Sequence, residues 1–175
     1  MMTEKQSNIL SAALKLFANE GFASTSTSKV AKQAGVSEGL IFRHFNNKEG
    51  LLNAVLQRSH EAAQKMMASI VIESDPLKMI QKTIEMPYNI DESEYELWRL
   101  TYALKWQTNS YNSDLTDPFK QSLVSAFKQL GYENPEAETE LLFILMNGAA
   151  TSILLKETKN KEDILIALKA KYNLN

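Results

Sequence analysis

Gly39 and Arg43 lie four residues apart in the stretch VSEGLIFRHFNNKEGL, which spans residues 36–51 and has the apolar spacing of a short helix. Four residues make about one helical turn, so the two residues share a face. Ile41 and Phe45 fall on the other side, where they can be buried. A glycine within a helix costs about 1 kcal/mol relative to alanine. We therefore expect another molecule to approach the face that bears Gly39 and Arg43.

The chemistry of this face fits the major groove of duplex DNA. Arg43 can donate two hydrogen bonds to a guanine edge, and Leu40 can contact a thymine methyl group. The missing side chain at Gly39 would let the helix backbone enter the groove. Glu38 would repel phosphates unless it accepts a hydrogen bond from cytosine N4. The alternative is a helical hairpin inside a bundle, with Leu40 and Phe42 as core residues.

Two short helices separated by a tight turn would position this face. Ser26 or Thr27 can cap the first helix, Gly35 permits a left-handed turn, and Ser37 can cap the second helix. This order is typical of a helix-turn-helix motif. Several polar or basic side chains near helix ends could hold phosphates, which position a protein on DNA without reading its sequence, namely Ser26, Thr27, His44 and Lys48.

Helix signals continue along the rest of the chain, and the sequence has no sustained strand pattern. Thr3 and Gln6 form a capping box before a helix that Gly21 ends. Acidic residues near Asp91 and Asn160 predict two more helix starts. A capping residue followed by proline predicts three others, at Asp75-Pro76, Asp117-Pro118 and Asn134-Pro135. We expect an all-α fold of about nine helices, the longest from about residue 47 to about residue 70.

Composition excludes several classes of protein. Of the 175 residues, 44% are hydrophobic and 23% are charged, which is ordinary for a globular protein. No uncharged apolar run reaches about 18 residues, and no secretory signal begins the chain, so we expect a cytoplasmic protein without membrane association. The absence of cysteine and the presence of only two histidines argue against a metal or cofactor site.

The sequence does not complete any of the enzyme motifs that we considered. His60-Glu61 would begin a zinc-protease helix, but Gln64 stands where the second histidine is needed. The sequence contains no nucleophile elbow and no phosphate-binding glycine loop. We therefore expect that the protein is not an enzyme.

Charge divides the chain into a basic head and an acidic body. Residues 1–58 carry seven Lys/Arg against four Asp/Glu, whereas residues 59–175 carry twelve against seventeen. A net charge of +3 on the first segment favours an anionic partner there, although the whole chain is at −2. Chance unevenness within a short segment is the alternative.

The segment GFASTSTSKVAKQAGVSEGLIFRHFNNKEGLL resembles the DNA-binding signature of the TetR/AcrR family of one-component transcriptional regulators. The resemblance covers about residues 5–56 and includes a capped helix, the turn AGVS and a recognition helix that ends in HF before a lysine. It implies an all-helical homodimer with an N-terminal three-helix DNA-binding head and a C-terminal effector-binding and dimerisation body. We place these domains at 1–46 and 47–175. Phe42 stands where the family often has a tyrosine whose hydroxyl reaches a phosphate.

The resemblance further implies a regulator, most simply a repressor, that binds a near-palindromic operator in double-stranded DNA and is released by a small-molecule effector. Neither the operator nor the effector is identified by the sequence. The alternative is a helical ligand-binding or protein-interaction module of the same fold that has lost specific DNA binding. The predicted DNA-contacting residues are Ser26, Thr27, Ser37, Glu38, Gly39, Leu40, Phe42, Arg43, His44 and Lys48.

An aromatic stripe in the body has two interpretations. Tyr95, Trp98, Tyr102 and Trp106 recur at steps of three and four in a chain that is only 9% aromatic. In the family the middle helices enclose an effector cavity, whereas aromatic stripes more often simply fill a core. The resemblance thus implies a cavity lined by Met66, Met86, Tyr88, Trp98, Tyr102, Trp106 and Phe119.

Two apolar faces near the C-terminus predict a partner. The first has small residues in its middle, which let helices approach closely, and the second follows it closely in sequence. The resemblance implies a four-helix bundle formed by two copies, and packing within one subunit is the alternative. The predicted interface consists of Leu142, Leu145, Gly148, Ala149, Ser152, Ile164 and Leu168.

Overall fold

The computed structural model describes residues 2–105 and 116–174. Within these two ranges the chain forms nine α-helices and two short 3₁₀ turns, at Met86–Asn89 and Glu92–Glu94, and no strand. The predicted all-α class is confirmed. The helices are α1 (Glu4–Glu20), α2 (Thr27–Ala34), α3 (Glu38–Phe45), α4 (Lys48–Val71), α5 (Pro76–Glu85), α6 (Tyr95–Lys105), α7 (Asp117–Gln129), α8 (Pro135–Leu154) and α9 (Lys161–Lys171).

Side-chain caps begin several of these helices where the sequence predicts them. The Gln6 amide donates to Thr3 Oγ1 at 3.3 Å, and the Thr3 amide donates to Gln6 Oε1 at 2.8 Å, which completes the capping box. Asp75 Oδ1 accepts from the Leu77 amide at 2.9 Å at the start of α5. Asn134 Oδ1 likewise accepts from the first turn of α8. These bonds satisfy amides that have no partner within the helix.

Three predicted starts differ in detail. α7 is capped by Thr116 rather than Asp117, and Thr116 makes no side-chain cap bond. Asn160 occupies the cap of α9, also without a side-chain bond. Asp91 precedes the 3₁₀ turn, and α6 begins only at Tyr95. An acidic residue stabilises the free amides of a 3₁₀ turn as well as those of an α-helix, so that signal does not distinguish the two.

The chain divides into two compact units, with a boundary inside α4 between Ala62 and Ala63. The first unit contains α1, α2, α3, the N-terminal part of α4, and α6. The second contains the rest of α4 together with α5, α7, α8 and α9. This division differs from the predicted domains 1–46 and 47–175, because α6 groups with the N-terminal helices rather than with the body.

The first unit has one hydrophobic core. Ile9, Val30, Ile41 and Leu51 are fully buried in it, one from each of its first four helices. α6 packs against α1 and adds Leu97 and Leu100, which are also buried. Burying a leucine side chain stabilises a fold by roughly 1.5–3 kcal/mol, so the contribution of α6 to this core is substantial.

The second unit has a separate core rich in aromatic rings. Phe127 lies 5.0 Å from Tyr132 and 5.9 Å from Tyr172, measured between ring centroids. Burial raises the pKa of the Tyr172 phenol to about 12, because the charged phenolate is disfavoured within this core. Ile84 of α5 and Leu142 of α8 are fully buried in the same cluster. Helices α5, α7, α8 and α9 thus share one interior.

The turn between α3 and α4 is set by two polar residues and a glycine. Asn46 adopts a positive φ of 66°, and Asn47 Oδ1 accepts from the Gly50 amide at 2.7 Å, which caps α4. A β-carbon at residue 50 would lie 2.0 Å from the carbonyl oxygen of Phe45. The fold itself therefore requires glycine at this position.

Two kinds of feature do not occur in the part of the chain that the structure describes. No helix there is long and apolar enough to cross a membrane. Likewise, no three His, Asp or Glu side chains in residues 2–105 and 116–174 lie together in a group that could hold a metal ion.

We predict that Leu100→Ala destabilises the first unit by about 2–5 kcal/mol, because it leaves a cavity where α6 packs against the N-terminal helices. Urea unfolding would measure the loss, and amide hydrogen exchange would show reduced protection in α1. Ile72→Ala is the control, since Ile72 is 84% exposed and should change stability by less than about 0.5 kcal/mol. Unchanged protection in α1 would contradict the role assigned to α6.

Candidate nucleic-acid interface

α2 and α3 form a helix-turn-helix unit with well-defined ends. Ser26 Oγ accepts from the Lys29 amide at 3.2 Å and caps α2. Gly35 ends α2 in the left-handed conformation, with φ of +67°. The Val36 amide then donates to the carbonyl of Ala31 at 3.0 Å, which closes the turn. The tight turn fixes the direction in which α3 leaves α2.

Ile41 fixes the rotation of α3 about its own axis. It is the only residue of α3 that is fully buried, and it packs in the core of the first unit. Gly39, Phe42 and Arg43 are consequently exposed, and Phe42 keeps 46% of its surface accessible. Leu40, in contrast, is half-buried and packs against the same core, so only part of its side chain can contact another molecule.

Gly39 has open space beside it. A β-carbon built at residue 39 would meet no atom within 4 Å, although the glycine lies inside a helix. The fold therefore gives no steric reason for glycine here, in contrast to Gly50. The open space lies on the exposed side of α3, where an external surface can approach the backbone closely.

Glu38 is held by a side chain of α2. The hydroxyl of Thr27 donates to Glu38 Oε1 at 2.6 Å and joins the beginnings of the two helices. The first turns of both helices also favour a carboxylate, because their free amides carry partial positive charge. This bond uses the single hydroxyl hydrogen of Thr27, which then cannot donate to a phosphate at the same time.

His44 is oriented from α1. Gln6 Oε1 accepts from the Thr3 amide, which leaves Gln6 Nε2 facing His44 Nδ1 at 3.3 Å. An amide nitrogen can only donate, so His44 Nδ1 is the acceptor and the hydrogen of the neutral ring lies on Nε2. His44 is exposed, and its Nε2–H is directed away from this contact.

Two lysines near this surface have partners within the first unit. The Lys48 ammonium donates to the Ala23 carbonyl at 3.3 Å and lies 4.4 Å from the centre of the Phe22 ring. It therefore holds the loop before α2 and still has two hydrogens to donate. Lys29 forms an ion pair with Glu20. The carboxylate of Glu20 therefore neutralises part of the positive charge that this segment presents.

The two serines of the predicted set are exposed and keep a hydroxyl hydrogen. Ser26 uses its oxygen as the cap of α2, so its hydrogen remains available. Ser37 occupies the N-cap position of α3, as predicted, but its hydroxyl makes no cap bond. The predicted role of Ser37 as a side-chain cap is thus wrong, and the hydroxyl can serve a contact outside the protein.

The predicted effector residues fall in both units. Trp98 and Tyr102 lie on α6 in the first unit, while Trp106 lies outside the described residues. Phe119 is buried in the second unit, where its ring lies edge-on to Phe143 at 5.7 Å, so it belongs to the core. The others lie in the second unit and are half-buried, namely Met66, Met86 and Tyr88.

The predicted dimer residues also divide by burial. Leu142 and Leu168 are buried in the core of the second unit, because they lie on the inner sides of α8 and α9. Gly148 and Ile164 are exposed, and the three remaining residues Leu145, Ala149 and Ser152 are half-buried. The most exposed apolar side chains of this region are Leu141 and Leu155, which lie on the first predicted apolar face, and Ile144 and Ile166, which the prediction did not include.

Helical spacing could have identified Ile144, the exposed residue of α8 that the prediction missed. Leu141, Ile144, Gly148 and Leu155 recur at steps of three, four and seven along α8, so they share one face. Leu142 lies about 100° away from Leu141 around the helix axis. A strict helical wheel would have separated the two leucines, which are adjacent only in sequence.

Comparison with known sequences matches the same N-terminal segment. Residues 9–55 match the family described as "Bacterial regulatory proteins, tetR family". The uncharacterized HTH-type transcriptional regulator YvkB of Bacillus subtilis is 42% identical over 57 residues, or 33% of this chain and 30% of that protein. The HTH-type transcriptional regulator TtgR of Pseudomonas putida is 34% identical over 88 residues, or 49% of this chain and 42% of that protein. The chain thus matches less than half the length of both relatives.

Comparison with solved structures extends over nearly the whole chain. A putative transcriptional regulator from Saccharomonospora viridis, solved in complex with choline, has a TM-score of 0.77 at 18% identity. The similarity covers 99% of this chain and 98% of that one, and at this identity it concerns the fold alone. The sequence match thus assigns residues 9–55 to the family of bacterial regulatory proteins described as the tetR family, and the structural similarity shows that the chain shares the fold of the Saccharomonospora viridis protein.

Proposed function

We propose that this protein is a homodimeric transcriptional regulator, most simply a repressor, that inserts α3 into the major groove of a near-palindromic operator. The observation that carries the proposal is the exposed face of α3. It presents a glycine without a steric role in the fold and an arginine without an ion pair among the described residues. The names of the relatives YvkB and TtgR, both transcriptional regulators, support the same function.

The proposal divides the work between bases and phosphates. Arg43 reads a guanine through two hydrogen bonds, and the bare backbone at Gly39 allows the close approach. Ser26, Ser37, Lys48 and the Nε2–H of His44 donate to phosphates, which fixes the register of α3 on the duplex. Phe42 contributes van der Waals contact with the sugar-phosphate backbone, because it has no hydroxyl group.

Two copies of the chain would associate through α8 and α9. The exposed face of α8 contains Leu141, Ile144 and Leu155 around Gly148, and α9 adds Ile164. A β-carbon at residue 148 would meet nothing within 4 Å, so the fold of one subunit does not require this glycine. A small residue at the centre of an apolar face permits close approach of another helix. The two recognition helices of such a dimer would enter successive major grooves about 34 Å apart.

A small molecule bound to the protein would release the operator by favouring one separation of the recognition helices over another. Ligand binding can shift this equilibrium only through its different affinities for the two states. The Saccharomonospora viridis protein, which was solved with choline, supports the general idea that this fold holds small molecules.

A helical binding module that has lost DNA recognition is the second candidate. Two observations favour it: Phe42 lacks a hydroxyl group, and the hydroxyl of Thr27 is already used by Glu38. The two candidates differ in how binding to duplex DNA depends on salt. A dimer that contacts phosphates releases counterions and shows a steep loss of affinity as salt increases.

The first prediction for this function concerns Arg43. A duplex selected from a random library by the purified protein should bind Arg43→Ala about 1–3 kcal/mol more weakly, with little preference left over unrelated DNA. Lys48→Ala should weaken selected and unrelated duplexes alike. Affinity at several salt concentrations measures both effects and the salt slope. Failure of the library to yield any preferred duplex, or a flat salt dependence, would favour the second candidate.

The second prediction separates DNA binding from folding at Gly39. Gly39→Ala should keep or raise the free energy of unfolding, by up to about 1 kcal/mol, because a β-carbon meets open space and alanine favours the helix. The same change should lower affinity for the selected duplex about tenfold or more, because the methyl group separates the backbone from the groove. Urea unfolding and fluorescence anisotropy give the two values. Undiminished affinity would remove the reason proposed for this glycine.

The third prediction concerns the dimer. Ile144→Glu should convert the protein to monomers, because association would bury a carboxylate in an apolar face. Its helical content should stay unchanged, since Ile144 is 66% exposed within one subunit. Native mass spectrometry reports the subunit count. Ile72→Glu is the matched control, because it adds the same charge at another exposed isoleucine and should leave the dimer intact; a dimeric Ile144→Glu variant would disprove the interface.

A further inference from the structure

α6 presents two different faces. Leu97 and Leu100 lie on one side and pack in the core of the first unit. Trp98 and Arg99 lie three and four residues after Tyr95, so the three residues share another side of the helix. Tyr95 and Trp98 are buried, yet neither belongs to the hydrophobic cluster of the first unit or to that of the second. Neither hydrophobic core therefore accounts for the burial of Tyr95 and Trp98 on this second face of α6.

Two nitrogen donors on this face have no acceptor within residues 2–105 and 116–174. The Trp98 indole Nε1 is buried, on a residue that is only 9% exposed, and finds no hydrogen-bond partner among the described residues. The same holds for Nε of Arg99, its neighbour in sequence. Arg99 also takes part in none of the ion pairs formed within residues 2–105 and 116–174. Buried donors without acceptors are unfavourable, and Arg99 also carries a positive charge that no acidic side chain within residues 2–105 and 116–174 pairs with.

The two donors specify the chemistry of what would satisfy them. A carboxylate has two oxygens, and these can accept from an indole N–H and from a guanidinium together. A water molecule can accept from the indole, but it brings no charge to balance Arg99. One guanidinium balances one negative charge, so a monoanion fits this face better than a dianionic phosphate. The rings of Tyr95 and Trp98 beside the donors favour a ligand with an apolar body.

We propose that the Trp98–Arg99 face of α6 binds the carboxylate of a small organic acid with an aromatic or acyl body. In this proposal Arg99 supplies the charge and one hydrogen bond, and Trp98 supplies the second hydrogen bond and a ring that contacts the body. The inference deepens the proposed function, on which it rests, by naming the chemical class of the effector.

Two matched pairs of probes test the recognition of charge. The purified full chain is titrated with naphthalene-1-acetate and with naphthalene-1-acetamide, and likewise with decanoate and decanamide, by calorimetry. Each pair shares one apolar body and differs only in the negative charge. At least one acid should bind about tenfold or more tightly than its amide, which is the effect of one charge-assisted hydrogen-bond pair. Equal binding of acid and amide, or no binding of either acid at millimolar concentration, overturns the proposal.

Three variants then locate the site. Arg99→Gln should abolish the preference for the acid, and Trp98→Phe should reduce it severalfold while the ring contact remains. Arg58→Gln is the control, because it removes one positive charge from an exposed position on α4 and should leave the preference unchanged. Circular dichroism and the thermal midpoint establish that each variant folds. Where Arg99→Gln does not fold, Trp98→Phe decides, and full retention of the preference in that variant overturns the proposal.

Because these titrations use the free protein, their outcome is independent of DNA. A chain that binds the acid through Arg99 but binds no duplex would support this site and contradict the proposed regulator. A chain that binds its selected duplex but shows no preference for the acid would contradict only the site. When both activities are present, the acid should weaken duplex binding in the wild type and not in Arg99→Gln.

Discussion

Burial of Ile41 is the constraint on which the candidate interface depends. α3 is only eight residues long, and a helix of that length does not hold its own orientation in water. One fully buried side chain, together with the closed turn at Gly35, determines which residues of α3 are exposed. A rotation by one residue, or about 100°, would bury Phe42 in place of Ile41 and move Arg43 to the position that Phe42 now occupies, so that a different set of side chains would be exposed. The chemistry of the exposed face is thus set from inside the protein.

Three glycines within helices illustrate how differently one residue type can be used. Gly50 is required because the chain comes back against the Phe45 carbonyl, whereas Gly39 and Gly148 have no neighbour that would exclude a side chain. Glycine at these two positions has a structural reason only if another molecule packs closely against the helix backbone there. The sequence reveals all three glycines equally, but only coordinates separate an internal steric requirement from an open surface.

Much of the fold could be predicted from local signals. Caps such as Thr3 with Gln6, and capping residues followed by proline, act within a few residues of the chain, so their meaning does not depend on tertiary structure. The orientation of α3 could also be predicted, because the buried and exposed sides of an amphipathic helix follow from its period.

Long-range contacts could not be predicted in the same way. The spacing of Leu97 and Leu100 indicates burial but not the helices against which they pack. The hydrogen bond from Thr27 to Glu38 joins two helices whose relative placement the sequence does not give. It also changes the expected electrostatics, because a carboxylate held by a hydroxyl and by two helix starts repels an approaching anion less than a free one.

The discontinuity of the first unit has a consequence for how the protein is made. Its core needs Leu97 and Leu100, which are synthesised long after the N-terminal helices. A ribosome must therefore add about 40 further residues after Ala62, and extrude them, before the unit can be completed, whereas small domains with contiguous chains can fold as they emerge. For the same reason, a chimera that exchanges only the first 62 residues with those of a relative would pair a foreign α1 with the resident α6. A module that can be exchanged between relatives therefore has to include α6, because α6 shares one hydrophobic core with the N-terminal helices.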